Sequence, residues 1–254
     1  MEDRWDGRKY KENSDPQERF ALMGLEKLAL RGNERVLDVG CGDGRVTAEI
    51  ARRVPTGFVL GIDASPSMIA VCTEAHRIVA NLSFCVADAT SFQVEEPFDA
   101  AVSFSALHWV ADLRAAVRCI RDALRPGGAL VLGMGEGQQK EIAEVFTRQR
   151  WRGQILQKTR TFHGRTLDEL SAILAECGFA DIRVDVVKGA RPYADEMALL
   201  DWIMTWLPHA SGLMGDLALE FGREIVENVR ASQPPGAKEL VLRSSMLAAK
   251  ATRI

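Results

Sequence analysis

Three aspartates, Asp38, Asp63 and Asp88, stand 25 residues apart in both steps along a chain of 254 residues. An ionised carboxylate accepts hydrogen bonds and donates none, so a row of three suits a ligand that presents hydroxyls, an amine and an ammonium. Just after the first comes "VGCGDGR", residues 39–45, with Gly40, Gly42 and Gly44 at every second position. A dinucleotide site wants its third glycine one place later, where this chain has Arg45, and a triphosphate loop wants a lysine followed by serine or threonine. The turn is therefore suited to lie against a nucleoside and an amino-acid tail, with no phosphates to cradle.

S-adenosylmethionine matches both features. Its ribose diol needs an acceptor, which Asp63 supplies 19 residues beyond Gly44; Asp38 lies nearer the amino-acid tail and Asp88 nearer the adenine. Any one of these aspartates could instead be a buried helix cap. Further on, "SFSALHWV" (103–110) brings His108 and Trp109 to the end of an apolar run. His108 would hydrogen-bond or deprotonate an acceptor and Trp109 would wall it, or both are packed loop residues. Residues 148–165, "RQRWRGQILQKTRTFHGR", hold six Lys or Arg and no acid, which reads as an attractor for an anionic acceptor or as a solvated face. Trp202, Trp206, Leu207, Leu213 and Met214 recur at helical spacing, as core or as the wall of an acceptor pocket.

The elements that must position these groups follow from periodicity. Short apolar runs at 35–39, 58–62, 82–86, 98–104 and 128–134 alternate with amphipathic stretches near 45–53, 66–78 and 112–124, the pattern of βα units that build a parallel sheet. "RPGG" at 125–128 is expected to stop the last of those helices. Each of the three aspartates then ends a strand, at the sheet edge where open α/β folds bind ligands. Beyond them the spacing predicts a helix over 166–179, a strand at 182–188, helix through most of 194–232 and a strand at 239–253. The helical block between the last two strands would form a lid. We divide the chain into an N-terminal gate segment (1–30), a nucleoside-binding core (31–189), a helical lid insertion (190–237) and a last strand (238–254).

With 47% hydrophobic and 26% charged residues the composition is that of a globular protein, and a net charge of −3 gives no wholesale nucleic-acid footprint. Five cysteines, at 41, 72, 85, 119 and 177, form no CxxC pair, so reduced thiols in a cytoplasmic protein are expected, without a metal site. The N-terminal residues lack the apolar core of a signal peptide, and no apolar run is long enough for a membrane span.

On the residues "VLDVGCGDG", "GIDASPSMI", "VADAT" and "LRPGGALVL", the sequence resembles the class I S-adenosylmethionine-dependent methyltransferases. The resemblance implies a doubly wound, seven-stranded, mostly parallel α/β sheet of Rossmann-like type whose last strand is antiparallel. It implies S-adenosyl-L-methionine as cofactor, held by Asp38, Gly40, Cys41, Gly42, Asp63, Ala64, Met68, Asp88, Ala89 and Ser105. "WDGRKYKENSDPQ" (5–17), "SALHWV" and "DWIMTWL" (201–207) further resemble the trans-aconitate and juvenile-hormone-acid methyltransferases, which implies that Tyr10 and Gln17 cover the cofactor and meet substrate beside His108 and Trp109. The expected reaction is methyl transfer to a small-molecule acceptor, a carboxylate oxygen first. O-, N- or C-methylation of a non-acid with His108 as base, and a non-catalytic nucleoside-binding module, stay open. The expected acceptor is anionic, with no nucleic-acid or membrane partner and a monomeric or homodimeric protein.

Overall fold

The computed structural model describes residues 15–155 and 162–254, apart from the side chains of 15–17. After helix α1 (Asp15–Leu25) come β1 (Arg35–Val39), α2 (Arg45–Arg53), β2 (Phe58–Asp63), α3 (Pro66–His76), β3 (Leu82–Val86) and β4 (Phe98–Phe104). A 3₁₀ turn (Leu107–Trp109), α4 (Leu113–Ala123) and β5 (Leu124–Gly135) follow. Then come the short α5 (Lys140–Phe146) and α6 (Gln149–Arg152), α7 (Leu167–Glu176) and β6 (Phe179–Tyr193). The last elements are α8 (Glu196–Ser211), α9 (Gly215–Ala231) and β7 (Leu240–Arg253).

The strands form one sheet in the order β3-β2-β1-β4-β5-β7-β6, in which β7 pairs antiparallel with both neighbours and the other pairs are parallel. Successive side chains of a strand point to opposite faces, and here both faces are covered. Leu37, Val39, Ile62, Leu130 and Leu132 pack with Val117 and Ile120 of α4 and with Leu170, Ile173 and Leu174 of α7. Val36, Val59, Ala100, Val102 and Val131 pack with Leu25 of α1 and Ile50 of α2. Burial on both sides is why these strands read as continuous apolar runs without alternation. Among the described residues no helix is long and apolar enough to cross a membrane.

Three expectations are corrected in detail. Helix α3 ends at His76, two residues short of the predicted end. "RPGG" does stand just past α4, but the ladder begins before it: Leu124 pairs with Phe98 and the next partners are Ala100 and Ala129. Residues 125–128 are thus looped out of the β4–β5 pairing, with Gly127 at φ 78°. The sixth strand runs to Tyr193, well past Lys188, because β7 stays paired with it from Phe179↔Arg253 to Tyr193↔Leu240. Gly189 and Pro192 are poor strand residues, yet β6 is a sheet edge and an edge tolerates proline.

The pairing of β7 with β5 ends at Gly135↔Met246. Beyond it β6 and β7 continue as a two-stranded ribbon, residues 188–193 against 240–245, roughly 20 Å at 3.3 Å per residue. The ribbon carries a separate apolar core made by α5, α6, α8 and α9, with Trp151, Ile203, Leu207, Phe221 and Ile225 buried beside Tyr193, Leu240 and Leu242. The helical block stands where the spacing of 194–232 predicts it.

Candidate active site

The strand order turns back between β1 and β4: β2 and β3 lie on one side of that pair, β5 on the other. At such a switch point the loops after the strands diverge and leave a crevice at the carboxyl edge. A cavity of about 1160 Å³ opens there, larger than the roughly 300–1,000 Å³ usual for one small ligand.

The glycine turn forms one wall. Gly40 and Gly44 have φ of 78° and 79°, a region a side chain strains to enter. Added Cβ atoms would also meet Ala106 Cβ at 2.2 Å and Cys72 Cβ at 2.6 Å. The amides of Gly40 and Cys41 both donate to the Ile62 carbonyl, at 2.8 and 3.0 Å, locking the turn to the end of β2. Gly42 N–H donates to Asp63 Oδ2 at 3.0 Å, and Ser65 N–H to Asp63 Oδ1 at 2.9 Å. Asp63 is therefore the hub that ties the turn after β1 to the start of α3, and it lines the cavity. Ser65 caps α3 by accepting from Met68 N–H at 3.1 Å. Asp88 holds its own loop, its Oδ1 accepting from Thr90 N–H and Oγ1 at 2.8 and 2.7 Å.

Gly40, Gly42, Asp63, Ala64, Met68, Asp88, Ala89 and Ser105 all line this cavity. Ser105 sits opposite the glycine turn at φ 55°, a conformation that costs a non-glycine residue free energy and concentrates at ligand sites. Asp38 and Cys41 do not line it; they border a small neighbouring pocket under the turn. Asp38 shares the face of β1 with Val36, toward α2, where it accepts from Thr47 Oγ1 at 2.7 Å. Burial raises its carboxyl to about 7, against the Thr47 hydrogen bond and with help from Asp63 and Asp43. Tyr10 lies outside the described residues, and Gln17 falls in the first turn of α1 with its side chain outside them.

His108 and Trp109 line the cavity beyond the turn. The His108 ring is stacked on Phe162 at 4.7 Å and tilted against Trp109 at 5.2 Å. Its Nδ1 accepts from the Gly135 amide at 3.2 Å, so the lone pair on that nitrogen is engaged and the neutral ring carries its proton on Nε2. Burial lowers the imidazole to about 3. At neutral pH His108 is a donor, which favours the carboxylate reading over the open alternative in which it serves as base.

The basic segment is also corrected where it is described. Arg148 and Arg150 bond to Glu224 of α9 at 2.9 and 2.8 Å, and Arg150 also pairs with Glu220. They neutralise acids of α9 and do not line the cavity. Lys158 and Arg160 lie outside the described residues. Among the described residues the cations that line the cavity are Arg19, Lys188 and Arg191. Arg150→Glu is therefore expected to leave the acceptor KM unchanged, and a salt-like rise in KM would show that the segment turns inward during turnover. Phe162, Arg191 and Tyr193 also reach the cavity without having been singled out from sequence.

Comparisons with known proteins agree with this architecture. Residues 36–128 match the family model described as a methyltransferase domain. Over 144 residues the chain is 32% identical to a trans-aconitate 2-methyltransferase of Methylobacterium nodulans, covering 57% of this chain and 55% of that one. It is 29% identical over 245 residues to the enzyme of the same name from Variovorax paradoxus, covering 91% and 90%. The first of these matches thus spans about half the length of its relative. The solved YcgJ protein of Bacillus subtilis superposes with a TM-score of 0.68 at 17% identity, over 92% of this chain and 98% of that one, a likeness of fold.

Proposed function

We propose that the chain is a class I S-adenosylmethionine-dependent methyltransferase that transfers a methyl group to a small-molecule acceptor, at a carboxylate oxygen, a reading supported by the methyltransferase-domain match and the named relatives. The donor set of the cavity fits the cofactor: acceptor-only carboxylates at Asp63 and Asp88 suit a ribose diol and an adenine amine, and the glycine turn leaves no Cβ in the way. When bound, S-adenosylmethionine supplies an activated sulfonium methyl. The protein then has to orient the acceptor oxygen and keep water away. His108 Nε2–H supplies a fixed donor for that oxygen, and Trp109 and Phe162 are apolar walls beside it.

The observation that carries the choice of a carboxylate is the state of His108. A hydroxyl or ammonium acceptor must lose a proton, whereas a carboxylate is already ionised at neutral pH and needs only a donor. The named relatives, trans-aconitate 2-methyltransferases, favour the same reading. Turnover of S-adenosylmethionine against matched acids, amides and alcohols tests it, with acids alone expected to be methylated.

A pH profile tests the role of His108 separately. No limb in kcat/KM is expected near the ordinary imidazole range, since the ring stays neutral down to about 3. Loss of a hydrogen bond to a charged oxygen in His108→Phe should lower kcat/KM roughly 10- to 150-fold, from about 1.5–3 kcal/mol. A limb near pH 6.5 that vanishes in His108→Gln would restore the base and remove the argument for a carboxylate.

A further inference from the structure

Four buried polar groups meet at the ribbon end of the cavity with little to bond to. Arg191 Nη1, Tyr193 Oη, Trp202 Nε1 and Trp206 Nε1 are each buried without a hydrogen bond of good geometry, Arg191 and the Tyr193 hydroxyl having only each other close by, and all four residues line the cavity. They are contiguous. The Arg191 guanidinium lies 4.6 Å from the Tyr193 ring centroid and 5.7 Å from that of Trp202. The rings of Tyr193 and Trp202 are 5.8 Å apart, and those of Trp202 and Trp206 5.7 Å. Two periodicities make the cluster: residues two apart on β6 share a face of the ribbon, and residues four apart on α8 share a face of the helix.

The cluster differs from the rest of the lid in what it lacks. Trp151 is fully buried too, and its indole N–H has an acceptor, Glu224 Oε2 at 2.9 Å. Arg148, Arg150 and Arg230 of the same region each pair with a glutamate, but among the described residues Arg191 makes no ion pair. Indole and guanidinium nitrogens only donate, and a buried donor left unbonded is a standing cost. Three nitrogen donors against a single tyrosine hydroxyl, the one member that can also accept, leave an excess of donors that is complementary to an anion. The rings beneath it give that anion a flat, apolar surround, and stacking on two of them holds Arg191 in place until an oxygen replaces them.

We propose that Arg191, with Tyr193, Trp202 and Trp206, is the subsite that holds an anionic group of the acceptor, and that it selects a carboxylic acid with a flat aromatic or conjugated body. This rests on the methyltransferase reading for calling the occupant an acceptor. One guanidinium among three rings suits a monoanion better than a compact polyacid, whose further charges would lie against apolar surface.

Calorimetry on the full chain saturated with S-adenosylhomocysteine tests this, with trans-cinnamate, cinnamamide and trans-aconitate as probes. Cinnamate is expected to bind at least tenfold more tightly than either of the others. Arg191→Met should erase the preference for cinnamate over its amide, and Arg191→Lys should restore part of it. Unchanged affinity for S-adenosylhomocysteine reports that each variant is folded. Discrimination unaltered in Arg191→Met, tighter binding of trans-aconitate, or no binding of cinnamate would each overturn the subsite. Methyl transfer to acids that is indifferent to Arg191→Met would leave the carboxylate reading standing without it. An Arg191-dependent preference for acids in a protein that methylates a hydroxyl or amine on them would do the reverse.

Discussion

Replacing Asp63 by alanine is expected to weaken S-adenosylhomocysteine binding by at least tenfold and by as much as several hundredfold. Asp63 accepts from Gly42 N–H and Ser65 N–H while lining the cavity, so its removal acts twice. A ribose hydroxyl loses a charged acceptor, about 1.5–3 kcal/mol for each such bond, and the glycine turn loses one of its ties to the end of β2, those of Gly40 and Cys41 to the Ile62 carbonyl remaining. Asp63→Asn separates the two effects: the amide oxygen still holds one backbone N–H while its nitrogen faces the other donor, so an intermediate loss is expected. Calorimetry gives the affinities and thermal unfolding shows whether the variants fold. A folded Asp63→Ala protein with parental affinity would mean that the ribose is held elsewhere.

Asp38→Asn is expected to make the protein more stable than the parent at pH 8 and no more stable at pH 4. The buried carboxyl of Asp38 titrates at about 7 in the folded chain, against about 3.9 when unfolded. Between those values the folded state holds a proton that the unfolded state has released, so stability falls as pH rises through that window and levels off above 7. The integrated loss is on the order of 4 kcal/mol. Asparagine keeps an oxygen for Thr47 Oγ1 and has no proton to lose. Denaturant unfolding of both proteins at pH 4, 6 and 8 measures it, and parallel pH dependences would place the Asp38 titration elsewhere. His108 acts in the opposite sense, because its depressed value makes stability fall as pH drops from about 6.5 toward 3.

The half of the cavity around the glycine turn was legible because it is local. Strands β1, β3 and β4 begin and end where their apolar runs do, and Asp63 and Asp88 follow strands that a parallel sheet must bring to one edge. Asp38 carried a readable warning: it shares parity with Val36, which packs toward α2, so its carboxyl could not also face the cavity. The half of the cavity under the ribbon was not legible. Arg191 and Tyr193 gain meaning only from the ribbon's crossing of the cavity, and the partners of Arg150 lie 70 and 74 residues away on α9. His108 was found by its position after β4, but its tautomer is set by a backbone amide at the end of β5 and its neutrality by burial, neither of which a nearby residue announces.

The ribbon of β6 and β7 makes the helical block an overhang. Its backbone is continuous with the sheet at one end and carries the helices at the other, joined by ladder pairs from Lys188↔Ser245 to Tyr193↔Leu240. A two-stranded ladder resists shear along its strands more than bending and twist across them. Because Arg191 and Tyr193 belong to the ribbon while the glycine turn follows β1, a displacement of the helical block would tilt the Arg191 end of the cavity before it reached the glycine turn.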